Sequence, residues 1–315
     1  MIQLENITKE YDSPSAAAGT IVAAQRLNLD VPTGEIFGLV GPNGAGKTTT
    51  LKMICGLIAP TAGRVIVNGM DVARQPEDAQ KFIGYLADFF SLYDDLKVSE
   101  YLEYFASAYK MDTKSIPMRV DEVIKHIGLE SKRNAMIHGL SRGMKQRLGI
   151  GRAIIHDPLL LILDEPAAGL DPKARVELKN LLRDLQGKGK TIFITSHILS
   201  DLEEVCTSVA LIENGRLLRV GRLEEVMRDG RPARRFRIRL ASADGAFASR
   251  LAGWSGVTDV RTEPVGAEFS FGGGDADLAE LIRAFVSAGA PVCSIYELSE
   301  SLEQLYLRIS SGENS

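Results

Sequence analysis

Gly41-Pro42-Asn43-Gly44-Ala45-Gly46-Lys47-Thr48 has the residue types and spacing needed to hold a triphosphate. Its glycines let the backbone curl so that successive N–H groups point inward at phosphate oxygens. Lys47 is placed to reach β- and γ-phosphates, and the Thr48 hydroxyl to bind Mg²⁺. Thr49 follows in the same turn. The apolar run Ile36-Phe37-Gly38-Leu39-Val40 precedes this loop and a helical pattern through Ile54 follows it, which is the strand–loop–helix setting the motif requires. The start of that helix adds partial positive charge.

Further along, Leu160-Leu161-Ile162-Leu163-Asp164-Glu165 reads as an apolar strand ending in two carboxylates. Such a strand delivers Asp164 to the sheet edge beside the phosphate loop, where it would hold Mg²⁺. Glu165 lies one step outward, in position to accept a proton from an attacking water. Ahead of it, Leu140-Ser141-Arg142-Gly143-Met144 opens a helical stretch, Gln146 to Ile155. Ser141 fits a helix N-cap. The same geometry, with the Gly143 N–H and the helix dipole, makes a second anion site.

These residues need a scaffold, and the chain predicts one. Ile2 to Thr8 and Ile21 to Val31 alternate apolar and polar side chains, as half-buried strands do, with a small-residue loop from Ser13 to Gly19 between them. Gly63 to Gly69 reads as a strand closed by a turn. Residues 98–139 are helical in pattern. Leu159–Leu163 and Thr191–Thr195 are continuous apolar strands separated by a helix from Lys173 to Leu185, which predicts a parallel sheet covered on both faces.

Bulk numbers agree with an ordinary globular chain. It has 315 residues, 45% hydrophobic and 25% charged, with 37 basic against 41 acidic residues. That length suggests two domains, and the charge balance gives no sign of a nucleic-acid binder. Three scattered cysteines fit no zinc or disulfide pattern, so a reducing cytosol is expected. The first residues carry no basic-then-apolar signal peptide, and no apolar run approaches bilayer length.

Together the motifs resemble the ATP-binding subunit of an ABC transporter over about residues 1–225, most specifically in Leu140-Ser141-Arg142-Gly143-Met144, then Asp164-Glu165, then Thr195-Ser196-His197. The resemblance implies a P-loop NTPase of ABC type, with a parallel-sheet core, an N-terminal antiparallel β part and a helical subdomain at about 88–155. It implies ATP and Mg²⁺ as ligands, with Asp164 and Thr48 on the metal. It also implies a head-to-tail dimer in which Ser141 and Gly143 of one subunit close over ATP held by the Lys47 loop of the other. By the same likeness Tyr11 stacks on adenine, His197 contacts the γ-phosphate, and Asp171 couples the two sites across the dimer. Asp171 before Pro172 also reads as a helix N-cap, and both roles fit together. A separate transmembrane permease is the implied partner, with the chain peripheral on the cytoplasmic face of the membrane. The likeness is to multidrug, antibiotic or sodium exporter subunits.

Two departures from the family pattern stand out. Asp88 falls where the family carries a glutamine that reaches Mg²⁺ and the attacking water; a carboxylate still suits a metal but is a poorer neutral donor. Arg142 stands where a glycine is usual, and Met144 where a glutamine is usual. Phe89, Phe90 and Tyr93 lie in a loop-like stretch and are expected to help form the groove that receives a permease helix.

A Gly- and Pro-punctuated segment near 228–232 suggests a boundary, giving an ATP-binding domain at 1–228 and an accessory domain at 231–315. The second reads βαββαβ, a ferredoxin-like unit, closed by a helix from Leu302 to Ile309. Arg235, Arg237 and Arg239 share one strand face there, expected to be solvated or else to meet an acidic partner or anionic headgroups. The competing reading is a soluble ABC-type ATPase acting on ribosomes or nucleic acid. Such proteins usually carry two ATP-binding units or a long coiled-coil insertion, and this chain has one phosphate loop and no sustained heptads. A plain P-loop kinase would not account for the Ser141 segment or His197.

Overall fold

The computed structural model describes residues 1–12, 19–228, 234–298 and 302–310. The expected loop at Ser13 to Gly19 and the boundary segment near 228–232 lie mostly outside them. The chain divides into two compact units after Val226.

The first unit is built on a six-stranded sheet in the order 216–222, 208–213, 36–40, 191–196, 160–163, 83–86. Four of its five pairings are parallel, and only the Arg216–Arg222 edge strand runs antiparallel. Every residue of Ile36–Val40, Leu160–Leu163 and Thr191–Ser196 is buried. That is why these segments read as unbroken apolar runs rather than alternating ones. Phe37 pairs with Phe193 across the two central strands, and their rings stack at 5.4 Å.

A second, antiparallel sheet joins 20–31, 2–12, 62–67 and 70–71. One apolar core unites the two sheets, with Ile2, Leu27 and Val67 from one and Leu39, Ile162 and Phe193 from the other. Helices Val98–Ala108, Ile116–His126 and Arg142–Ile154 form the helical part. The last begins at Arg142, four residues before the sequence pattern suggests, because Ser141 caps it. The predicted helix from Lys173 extends over Pro172–Gly187.

This topology positions the chemistry. The strands at 36–40, 160–163 and 191–196 are neighbours and run the same way. Their C-terminal ends therefore deliver the phosphate loop, the Asp164-Glu165 pair and His197 to one edge, where open α/β sheets bind ligands.

In the second unit the elements run strand 234–240, helix 247–252, strands 257–263 and 266–271, helix 275–287, strand 292–298. The sheet order is 257–263, 266–271, 234–240, 292–298, antiparallel throughout. Phe236, Ile238 and Leu240 point into a core with Phe247, Phe269 and Phe285. Their neighbours on the opposite face, Arg235 and Arg237, both bond to Glu268, and Arg237 also meets Glu263 at 3.2 Å. Much of the arginine row is thus neutralised within its own sheet.

Candidate nucleotide site

The phosphate loop is fixed by backbone geometry. Gly46 caps the helix Lys47–Ile54 with φ of 102°, a left-handed conformation costly for any residue with a β-carbon. A β-carbon there would also collide with the Ala23 carbonyl oxygen. Ala45 O accepts from the Gly215 N–H at 3.0 Å, and Gly215 O accepts from the Gln25 N–H at 2.7 Å. The loop is therefore stitched to a hairpin turn and to the antiparallel sheet. Pro42, Asn43 and Gly44 face solvent at its rim, whereas Gly41, Ala45 and Lys47 are buried.

Lys47 donates to Gly41 O at 2.7 Å and to Pro42 O at 3.2 Å, and its ammonium lies 3.4 Å from Glu165 Oε1. A buried ammonium needs such partners. They leave it at the mouth of a loop whose N–H groups suit an anion.

Asp164 is only 2% exposed. Its Oδ2 accepts from Thr48 Oγ1 at 2.9 Å and its Oδ1 from Thr195 Oγ1 at 2.6 Å. Thr195 Oγ1 in turn accepts from the Glu165 N–H at 3.0 Å. One hydroxyl thus ties the Asp164 carboxylate to the Glu165 backbone, a role that sequence reasoning missed. The signals were a polar residue ending a buried apolar strand and its place ahead of His197 in Thr195-Ser196-His197. Glu165 itself has φ of 49°, uncommon for a residue with a β-carbon and typical of strained functional positions. Its Oε2 accepts from the His197 N–H at 3.2 Å and lies 2.8 Å from His197 Nδ1. With Glu165 ionised, Nδ1 carries the hydrogen of that bond.

Charge spreads from this pair. Burial pushes the Cys55 thiol up, and the negative charge of Asp164 adds to the effect. Desolvation, reinforced by Asp164 and Glu165, raises the Asp88 carboxyl above its ordinary range, while His197 and Arg142 pull it down. Asp88 lies exposed just past the strand Ile83–Leu86, and its link to the site is electrostatic.

Other residues singled out in the sequence stand outside this hydrogen-bonded cluster. Ser141 Oγ accepts from the Met144 N–H at 3.3 Å, the N-cap bond. Gly143 is buried so close to the following helix that a β-carbon would lie 2.7 Å from Ala174 Cβ. Its N–H, in the first turn, has no acceptor in its own helix. Asp171 accepts from the Ala174 N–H at 2.9 Å with Pro172 behind it, so its capping role is observed. Tyr11 is 40% exposed, with the Lys9 ammonium 5.2 Å from its ring centre.

A glycine-cradled loop, a lysine at its mouth, and a strand-end carboxylate hydrogen-bonded to the loop hydroxyl define a P-loop nucleoside triphosphatase. Residues 24–168 match the family described as ABC transporter. The Nod factor export ATP-binding protein I of Cupriavidus metallidurans is 37% identical over 227 residues, covering 72% of this chain and 73% of that protein. The "Probable multidrug ABC transporter ATP-binding protein YbhF" of Escherichia coli is 36% identical over 221 residues, 70% of this chain and 37% of that one. Among solved structures, the ATP-binding cassette MJ0796, dimeric in a post-hydrolysis state with ADP and Pi, aligns with a TM-score of 0.63 at 27% identity, covering 71% of this chain and 99% of that one. The chain belongs to the ABC transporter family as one of its ATP-binding, ATP-hydrolysing proteins.

Proposed function

We propose that the chain is the motor subunit of an exporter, that residues 1–228 carry this activity, and that two copies, or one copy and a close relative, act together. The observation that carries the reading is the division of the site. Lys47, Thr48, Asp164, Glu165 and His197 form one bonded cluster, whereas Ser141 and Gly143 offer a separate helix start. In a head-to-tail pair, the Ser141 helix start of one copy meets the triphosphate cradled by the other copy's Lys47 loop. Two ATP molecules then bridge the copies. Tyr11 stacks on adenine, the loop from Gly41 to Thr49 holds the phosphates, and Asp171 lies at the seam.

Oxygen donors alone flank the phosphate loop at the metal position: Thr48 Oγ1 and Asp164 Oδ2 lie 2.9 Å apart. That set suits Mg²⁺, which prefers a few protein oxygens and completes its shell with phosphate and water. When bound, the ion would neutralise charge developing on the phosphates. Asp88 is proposed as a further oxygen donor near it. Glu165 accepts the proton of the attacking water, and His197 orients that carboxylate and meets the γ-phosphate. Loss of the γ-phosphate removes the contacts of Ser141, Gly143 and His197, and the pair loosens.

We propose that this cycle drives a separate membrane permease from the cytoplasmic face. Among the described residues no helix is long and apolar enough to cross a membrane. An open groove of about 300 Å³ lies beside the strand Ile83–Leu86 at the other edge of the sheet, lined by Leu57, Tyr85, Phe105, Tyr109 and Arg152. The Phe90 ring packs 5.6 Å from the Arg152 guanidinium, and Tyr93 stacks on Phe105 at 6.3 Å. Phe89 is 91% exposed in the same loop. This groove is the proposed seat for a permease helix. Export, rather than work on ribosomes or nucleic acid, is supported by relatives whose names specify Nod factor export and multidrug transport.

The test is Glu165→Gln. The variant should bind ATP and accumulate an ATP-dependent dimer seen by light scattering, with turnover reduced at least a hundredfold. Normal turnover would show that Glu165 is not the base.

A further inference from the structure

The turn between Glu165 and Asp171 is held by two guanidinium groups from different elements. Arg142, the first residue of the helix Arg142–Ile154, donates from Nη2 to Ala168 O at 2.9 Å. Its guanidinium lies flat on Gly169. A β-carbon at 169 would collide equally with Cζ, Nη1 and Nη2, and Gly169 has φ of 66°. Inside the turn, the Ala168 N–H donates to Glu165 O at 3.0 Å. At its exit, Arg175 donates from Nε to Leu170 O at 3.2 Å and lies 3.4 Å from Asp201 Oδ1. Asp201 is buried, also faces Lys179 at 3.9 Å, and sits four residues past His197.

One covalent and hydrogen-bonded path therefore runs from Ser141 through Arg142 and Ala168 to Glu165 within one subunit. A glycine at 142, usual in the family pattern, has no side chain to make it. We infer that Arg142 is a positioning residue that transmits the state of Ser141 to Glu165 of the same chain. The inference rests on the proposed head-to-tail pair. There Ser141 reads the partner's triphosphate while Glu165 serves the chain's own. Arrival of ATP at one site then shifts the start of the Arg142–Ile154 helix, drags the Ala168 turn, and sets Glu165 at the other site. Elements with two discrete arrangements carry such coupling. The simpler account of Arg142, an exposed side chain bonded to a nearby carbonyl, predicts a small loss confined to stability.

The experiment uses the full chain and compares wild type with Arg142→Ala, Arg142→Lys and Gly169→Asn. Asparagine tolerates the left-handed backbone at 169 but displaces the guanidinium, so it breaks the path with Arg142 still present. An ammonium at 142 cannot lie flat on Gly169. All three variants should lose turnover about tenfold and drop the Hill coefficient for ATP from about 2 to about 1. Binding of ATP to the isolated subunit should change less than about threefold in each. The Glu165→Gln/Arg142→Ala double variant should still dimerise with ATP, as Glu165→Gln alone does. Wild-type turnover and Hill coefficient in Gly169→Asn and Arg142→Ala overturn the inference. Loss of ATP-dependent dimerisation only in the double variant also overturns it, because Arg142 would then act across the interface. Failure of Glu165→Gln itself to dimerise instead removes the head-to-tail pair. A melting curve identifies any variant that fails to fold, and Gly169→Asn then decides for Arg142→Ala.

Discussion

Replacing Thr195 with valine tests the heart of the site. Thr195 is fully buried, and valine nearly matches its shape, so no cavity opens. The lost hydroxyl donates to Asp164 Oδ1 at 2.6 Å and accepts the Glu165 N–H at 3.0 Å. A hydrogen bond to a buried carboxylate is worth about 1.5–3 kcal/mol, and stranding the N–H costs about 1 kcal/mol more. The first unit should therefore lose about 2.5–4 kcal/mol. In a unit of this size that lowers the melting temperature by about 5–16 °C. Turnover should fall at least tenfold, because Asp164 and Glu165 lose their common anchor. Thr195→Ser keeps the hydroxyl and loses only a methyl, so it should cost about 1 kcal/mol and retain most activity. Calorimetric melting and ATPase assays on the three proteins decide the matter. If Thr195→Val melts within about 2 °C of wild type at unchanged turnover, the hydroxyl anchors nothing.

Three further outcomes follow from the structure. Removing the Tyr11 ring should weaken ATP binding by about 5–30-fold, matching roughly 1–2 kcal/mol of stacking, while Tyr11→Trp keeps it; calorimetric titration giving equal affinities for Tyr11→Ala and wild type would count against stacking. Paired Phe89→Ala and Phe90→Ala should abolish transport in permease-containing vesicles yet leave ATP binding intact, since Phe89 is nearly bare and its loss alone costs under about 0.5 kcal/mol; undiminished transport sinks the groove assignment. Burial lowers His156 from 6.5 to about 4: its Nε2 faces Ile83 O at 3.0 Å, its ring stacks on Tyr109 at 3.8 Å, and buried Nδ1 has no partner to receive a proton's charge. The unfolded chain thus takes up a proton below pH 6.5 that the fold refuses until about 4, and stability should fall through that window by about 1–2 kcal/mol, after discounting for the partly exposed ring; identical acid dependence of urea unfolding in His156→Gln would refute this.

Local chemistry was legible in short runs of residues. Glycine spacing placed the curled loop and Lys47 at its end, since backbone curvature and the reach of a lysine are properties of a few consecutive residues. Apolar runs marked Ile36–Val40 and Leu160–Leu163 as strands buried on both faces, and alternation set Arg235 and Arg237 on one face of theirs. What those side chains meet depends on how distant segments pack. Thr195 reaches Asp164 because the strands at 160–163 and 191–196 pair in parallel, a register no spacing rule encodes. Glu268 neutralises its two arginines because 266–271 lies beside 234–240 in the sheet. Arg142 looked like a departure from a motif until the fold laid its guanidinium on Gly169. Periodicity records how each segment sees water and core, an averaged and local quantity. A hydrogen bond between distant residues depends on a single relative placement, which arises only when the sheets close around their shared core.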